Sequence, residues 1–278
     1  ATNFVMMETG QPLHAFDLNL LSEVDGKRTV IVRRASEDEK FTTLDNQEHK
    51  LKNDNLLIAD YKKGIALAGV MGGANTEINS NTRDVLLETA HFNPQNIRAT
   101  SKQLGLNTDA SYRFERGADI GCVDWVGCRA AKLILDVAGG QLLSGDLDAF
   151  PKAPEPNEIA LRYERVNAIL GISIDPVKVN ESLKGLNLEL VSQDEASAAF
   201  RVPTWRVDLK REIDLIEEVC RLYGVDKIPS TMPRGCLGEN EYDARHDHIA
   251  LTRNILTGLG LDEAQGQTLI SGESARLV

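Results

Sequence analysis

Apolar positions fall into two different patterns along this chain. From Thr29 to Ala35 the order Thr-Val-Ile-Val-Arg-Arg-Ala is β-branched and predicts a strand. Short apolar runs at Leu56 to Ala59, Ile65 to Val70 and Val85 to Leu87, each bounded by Gly, Asn or Asp, predict further strands, so the first half is sheet-rich. Asn93 before Pro94 offers an N-cap and a proline at the first helical position, and Gly105 offers a C-cap, which predicts a helix over 94–104. Val126, Ala130, Leu133 and Val137 recur at helical spacing until Gly139-Gly140 stops them, predicting a longer helix from Ile120 to Val137.

The pattern then changes. Residues 150–158, Phe-Pro-Lys-Ala-Pro-Glu-Pro-Asn-Glu, hold three of the nine prolines and read as an inter-domain linker. After them come a short helix near Glu164 to Leu170, a helix opened by Asp175-Pro176, strands near Leu186 to Val191 and Ala199 to Val202, and a helix from about Leu209 to Tyr223. In that last helix Ile213, Ile216, Cys220 and Tyr223 form the expected buried stripe. Ile228 to Arg234 reads as loop, and Ala244 to Leu259 starts another helix. The expected class is α+β: a sheet-rich domain with flanking helices over 1–149, a small helical, winged α+β domain over 150–230, and the start of a third domain over 231–278.

Composition narrows the function classes. At 278 residues the chain exceeds ordinary single-domain size, and 42% apolar with 26% charged residues suits folded domains. No apolar run approaches the ~20 residues of a membrane span and no secretory pattern opens the chain, so a cytoplasmic protein is expected. Cys122, Cys128, Cys220 and Cys236 form no C-x-x-C pair, which suits reduced thiols better than a disulfide framework or a zinc site. A net charge of −11 argues against a general nucleic-acid clamp, so any nucleic-acid contact is expected to be local or supplied by parts outside this chain. The chain opens on Ala1 and breaks off after an apolar segment, the expectation for a piece of a longer protein.

Several residues could carry chemistry, and each has a plain structural reading beside it. His14 follows a Gly-Gln-Pro turn; alone, such a histidine is usually a satisfied structural side chain. Gly72-Gly73 reads equally as a tight turn needing positive φ. Glu88, after Val85-Leu86-Leu87, reads as the outward residue of a strand, Thr108-Asp109 as a helix cap, and Arg113, Glu115 and Arg116 as a surface salt-bridge cluster. Asp208, Asp214, Glu217 and Glu218 read either as a solvated acidic face paired with Lys210 and Arg211 or as oxygen ligands suited to Mg²⁺. His246 and His248 flank Asp247 without the second cluster that a zinc site needs.

Taken together, the segments are more specific. Gly10-Gln11-Pro12-Leu13-His14-Ala15-Phe16-Asp17, the strand ending at Gly72-Gly73, Val85-Leu86-Leu87-Glu88 and Thr108-Asp109-Ala110-Ser111-Tyr112-Arg113-Phe114-Glu115-Arg116-Gly117 follow one another as in the editing domain of bacterial-type phenylalanyl-tRNA synthetase β subunits, which residues 2–140 resemble throughout. The resemblance implies an editing pocket that hydrolyses tyrosyl-tRNA(Phe), with His14, Thr108 and Gly72 at the reacting ester and Glu88, Ala110, Thr2 and Asn3 lining the substrate. The run from Pro203 to Pro229 resembles the family's next domain, in which the positions of Asp208, Asp214, Glu217 and Glu218 hold one magnesium ion shared with the α subunit. Arg253 to Ala264 resembles the opening of the catalytic-like domain. The family further implies a phenylalanine–tRNA ligase of α2β2 form, with ATP used at the α-subunit site and partners that include the α subunit and tRNA(Phe). Two rivals remain: a scaffold without editing activity, and a metal-dependent hydrolase using Asp109, Glu115 and His14.

Overall fold

The computed structural model describes residues 1–145, 147–151, 153–232, 241–264, 266 and 271–276, and it is mixed α+β. Residues 1–228 form one compact unit and residues 229–278 a second.

Helix α1 (Thr2–Thr9) ends at Gly10 and leads into strand β1 (Leu13–Asp17). A small hairpin of β2 (Glu23–Val24) and β3 (Lys27–Arg28) precedes β4 (Ile31–Arg34), and β5 (Lys40–Thr42) pairs with β6 (Glu48–Lys50). Strands β7 (Leu56–Ala59), β8 (Gly64–Leu67) and β9 (Met71–Gly72) join β4 in an antiparallel sheet of order β4-β7-β8-β9. The strand predicted at 85–87 forms as β10 (Val85–Thr89), but it leaves this sheet and pairs antiparallel with β1, from Leu13 opposite Thr89 to Asp17 opposite Val85. Helices α2 (Pro94–Leu104), α3 (Asp109–Phe114) and α4 (Val123–Ala138) follow. Asn93 caps α2 by accepting from the backbone N–H groups of Gln95 and Asn96, as its sequence predicts.

Both faces of the β1–β10 ribbon are covered, and this places the site. Side chains alternate across a strand, so Leu13 and Leu87 face one way and pack with Val5 of α1 and Val126 and Ala130 of α4. Phe16 and Leu86 face the other way, into the main core with Phe41, Leu57, Ile65, Ile97 and Phe114. Each such side chain, fully buried, contributes about 1.5–3 kcal/mol. The stripe on α4 ends at Leu133 rather than running on to Val137, which is 78% exposed because the packing against the ribbon has already ended.

The second region has its own core. Strand β11 (Glu158–Arg162) is followed by α5 (Tyr163–Leu170), α6 (Pro176–Gly185), β12 (Glu189–Gln193), β13 (Ser197–Arg201) and α7 (Glu212–Tyr223), with sheet order β11-β13-β12. The linker expected over 150–158 overlaps the start of β11, where Ile159 and Leu161 alternate inward against Phe200 and Leu183. Helix α7 starts at Glu212, later than expected, because Asp214 turns back to accept from the backbone N–H groups of Lys210 and Arg211. Its buried stripe is Leu215, Ile216 and Val219; Ile213 is exposed, and Cys220 and Tyr223 are only half-buried. A Cβ on Gly117 would lie 3.2 Å from Val207, so the loop after α3 rests against this region.

In the second unit, α8 (Glu241–Gly258) forms where Ala244 to Leu259 predicts a helix. Cys236 and the stretch 233–240 lie outside the described residues. Cys122, Cys128 and Cys220 are free thiols. Among the described residues no helix is long and apolar enough to cross a membrane.

Candidate active site

The pairing of β1 with β10 sets His14 directly opposite Glu88. Directly opposed residues have Cβ atoms about 4.5–5.5 Å apart on one face, so two groups distant in sequence become neighbours. The imidazole packs edge-on against Phe16, with ring centroids 4.5 Å apart. On its other flank lies Gly72, where an added Cβ would sit 2.5 Å from His14 Nε2 and 3.1 Å from Leu44 Cδ1. Gly72 is therefore required for close approach, since only a residue without Cβ lets the ring lie against the backbone. The positive-φ reading of Gly72-Gly73 is corrected: neither glycine is left-handed, and both are held extended, Leu44 N–H donating to the Gly72 carbonyl and Gly73 N–H to the Ile65 carbonyl. The left-handed turn is at Gly69, φ +68°, where a Cβ would lie 2.8 Å from Phe92.

Burial sets the charge state of the pair. Glu88 keeps some exposed surface, but protein encloses its carboxyl, and the lost hydration pushes its pKa up to about 7. The same cause holds the His14 imidazole below its usual value, so the ring is neutral near pH 7. Among the described residues neither side chain has a hydrogen-bond partner. Glu88 is thus neither the outward residue of its strand nor part of an ion pair.

Thr108 is both a cap and a strut. Its Oγ1 accepts from Ser111 N–H at 3.0 Å and donates to the Val70 carbonyl at 2.7 Å, while Ser111 Oγ accepts from Thr108 N–H at 3.0 Å. The capping box thereby ties α3 to the residue two places before Gly72. The hydroxyl proton is committed to Val70, so toward a ligand Thr108 can only accept. Replacing Thr108 by valine should cost about 2 kcal/mol, from the lost cap and the lost Val70 bond, whereas Thr108→Ser should stay within about 0.5 kcal/mol; urea unfolding checks both.

The other expected residues are arranged differently. Ala110 packs, half-buried, against the main core on α3. Thr2 and Asn3 open α1, which packs on the Leu13–Leu87 side of the ribbon, and no hydrogen bond among the described residues joins them to His14 or Glu88. Gln11 is framework: its buried Nε2 donates to the Ala90 carbonyl at 2.7 Å, closing the end of the ribbon. Asp109 is held by Arg113 and Glu115 by Arg116, and among the described residues neither joins His14 in a group arranged to hold a metal ion. Leu44 and Val70 carry no sequence signal, since nothing local marks a loop leucine or a backbone carbonyl that touches a distant site.

Of the four acidic residues only Asp208 and Glu218 meet, and they do so on Arg206. Arg206 donates to Asp208 at 2.9 and 2.7 Å and to Glu218 at 2.8 Å, and Arg221 donates to Glu218 at 2.6 Å. Arg206 holds the Asp208 carboxyl below its usual range; burial opposes charge on Glu218, but Arg221 and Arg206 outweigh it. Asp214 caps α7, and the Lys210 N–H is the main group lowering its pKa. Glu217 points to solvent. Among the described residues no group of three His, Cys, Asp or Glu side chains is arranged to hold a metal ion, and Asp208 and Glu218 are both engaged by Arg206.

Residues 1–139 match the B3/4 domain family and residues 159–225 the tRNA synthetase B5 domain family, which makes this a protein of the tRNA synthetase class. The chain is 42% identical over its full length to the phenylalanine–tRNA ligase beta subunit of Syntrophus aciditrophicus, covering 34% of that protein. It is 43% identical over 94% of its length to the same subunit of Geobacter sulfurreducens, covering 32% of it, and 45% identical over 97% to that of Oleidesulfovibrio alaskensis, covering 33%. The chain belongs to the phenylalanine–tRNA ligase beta subunit family, and spans about a third of the length of the curated relatives it matches. A solved N-terminal fragment of the phenylalanyl-tRNA synthetase beta subunit from Pyrococcus horikoshii aligns with 80% of this chain and 64% of the fragment at 15% identity, with a TM-score of 0.40.

Proposed function

We propose that this chain is the editing portion of a phenylalanine–tRNA ligase, and that it hydrolyses tyrosine wrongly esterified to tRNA(Phe). The observation that supports this most is the unpartnered Glu88 carboxyl beside neutral His14 on the ribbon. A synthetic site that accepts phenylalanine cannot strongly reject an isostere that merely adds a hydroxyl, so a second site has to recognise that hydroxyl. Glu88 supplies the recognition. In either protonation state its carboxyl bonds a phenol O–H, whereas phenylalanine leaves it desolvated and unpaired, at about 1–3 kcal/mol.

His14, fixed between Phe16 and Gly72, orients the ester and the attacking water. Thr108 can accept from that water or from the ribose hydroxyl without giving up its bond to Val70. Water adds to the carbonyl carbon and the ester C–O bond breaks; the water oxygen stays on the tyrosine carboxylate, one of its protons passes to the ribose oxygen and the other leaves to solvent.

The whole enzyme would join phenylalanine to tRNA(Phe) with ATP at the α subunit, in the cytoplasm, with this chain contributing to an α/β assembly. Magnesium at Asp208, Asp214, Glu217 and Glu218 would require Arg206 to release Asp208 and Glu218 when the partner docks. Incubating the chain, and the assembled synthetase that contains it, with tyrosyl-tRNA(Phe) and phenylalanyl-tRNA(Phe) tests the editing reading. Faster release of tyrosine is expected. Equal, background-level release from both by the assembled enzyme would leave the scaffold reading in its place.

A further inference from the structure

A groove of about 410 Å³ runs along α3 from Asn107 to Arg116, and Thr108 forms part of its wall. Neither His14 nor Glu88 lines it, so it is a compartment apart from that pair, and Thr108 on its wall is bonded to the Val70 carbonyl two places before Gly72. Tyr112 stands in it 57% exposed, and the Arg116 guanidinium lies 3.6 Å above the centre of its ring. Arg116 is braced in that position by the Tyr112 carbonyl at 2.9 Å and by Glu115 at 2.6 Å. An aromatic ring and a guanidinium plane held in register form a platform on which a nucleobase stacks.

The charge lining the groove selects among ligands. Asp109 and Glu115 both face it, each with one arginine partner and with acceptor oxygen to spare. A phosphate there would meet two carboxylates at short range. A neutral base with an exocyclic amino group would instead donate to them.

The geometry points to this groove as the seat of an amino-bearing nucleobase, adenine or cytosine, in the single-stranded 3′ end of the aminoacylated substrate, stacked on the Tyr112–Arg116 pair. The seat rests on the editing reading for the identity of its ligand, but its binding is measurable without that activity. Thr108 then joins the two compartments, the aminoacyl group on the Glu88 side and the terminal nucleotides on the Tyr112 side.

The test uses the 278-residue chain with the trinucleotide CCA as probe, and UUU, which has no exocyclic amine, as the comparison. CCA should bind more tightly than UUU. Tyr112→Ala should weaken CCA binding by about 5- to 150-fold and raise KM for tyrosyl-tRNA(Phe) more than it changes kcat. Tyr112→Phe, which keeps the ring, should return binding to within about twofold. Circular dichroism confirms that each variant is folded, and an unfolded Tyr112→Ala is replaced by Tyr112→Leu, with the same expectation. Wild-type affinity and KM in the ring-less variant would overturn the seat, as would a wild-type chain that binds neither trinucleotide. If CCA binds with this pattern but neither ester is hydrolysed, the editing reading falls and the seat stands. If tyrosyl-tRNA is hydrolysed selectively and loss of the Tyr112 ring leaves that hydrolysis untouched, the seat falls and the editing reading stands.

Discussion

Replacing Glu88 by alanine is expected to lower the ratio of kcat/KM for tyrosyl over phenylalanyl esters by about 5- to 150-fold, the loss of one hydrogen bond to an enclosed carboxyl. The fold should survive, because Glu88 makes no hydrogen bond among the described residues. Its stability effect is signed. In the unfolded chain Glu88 ionises near its ordinary value of 4.5, while the folded state holds the proton up to about 7. The folded state therefore binds more protons across that window, and wild-type stability falls as pH rises through it. Glu88→Gln cannot ionise, so it should match the wild type near pH 4 and exceed it by about 3 kcal/mol above pH 7. Urea unfolding at the two pH values measures this. A variant no more stable than wild type at high pH would show that the carboxyl ionises freely in the fold and is not enclosed.

The second large effect belongs to Gly72→Ala. The new Cβ would fall 2.5 Å from His14 Nε2, so either the imidazole leaves its place against Phe16 or β9 moves. A destabilisation of about 1–3 kcal/mol is expected, with loss of tyrosyl-ester hydrolysis. The double variant Gly72→Ala with His14→Ala should recover part of the stability but none of the activity, because the clash is relieved while the imidazole is gone. Additive losses in that cycle would mean that the two residues are not in contact.

The legible parts of the fold are those punctuated by local chemistry. Helix α2 is readable to the residue because Asn93, Pro94 and Gly105 each act within one turn. The start of α7 is not, because Lys210 and Arg211 are good helix formers by propensity; what excludes them is Leu209, drawn into the core, and the turn-back of Asp214. Strand β11 hides behind prolines because its inward pair, Ile159 and Leu161, gains meaning only against Phe200 on β13.

The site shows the same division. His14, Glu88, Gly72 and Thr108 can be named from resemblance, but the register that sets His14 opposite Glu88 is long-range and leaves no local mark. Gly72 stands out in the sequence as a turn glycine, whereas its role in the fold is to leave room for a ring. The Arg116–Tyr112 stack is within reach of the sequence, since residues four apart share a helix face, but the alternating charges there suggest only the Glu115–Arg116 salt bridge, which forms as well.

The central claim is that the Glu88 carboxyl beside His14 receives a phenol hydroxyl. The most direct measurement is a crystal structure of the chain with L-tyrosine bound. The phenol oxygen is expected within about 2.5–3.0 Å of a Glu88 carboxyl oxygen, with the ring between Gly72 and β10. Tyrosine seated elsewhere, or a Glu88 carboxyl that stays unpaired with tyrosine bound, would contradict it.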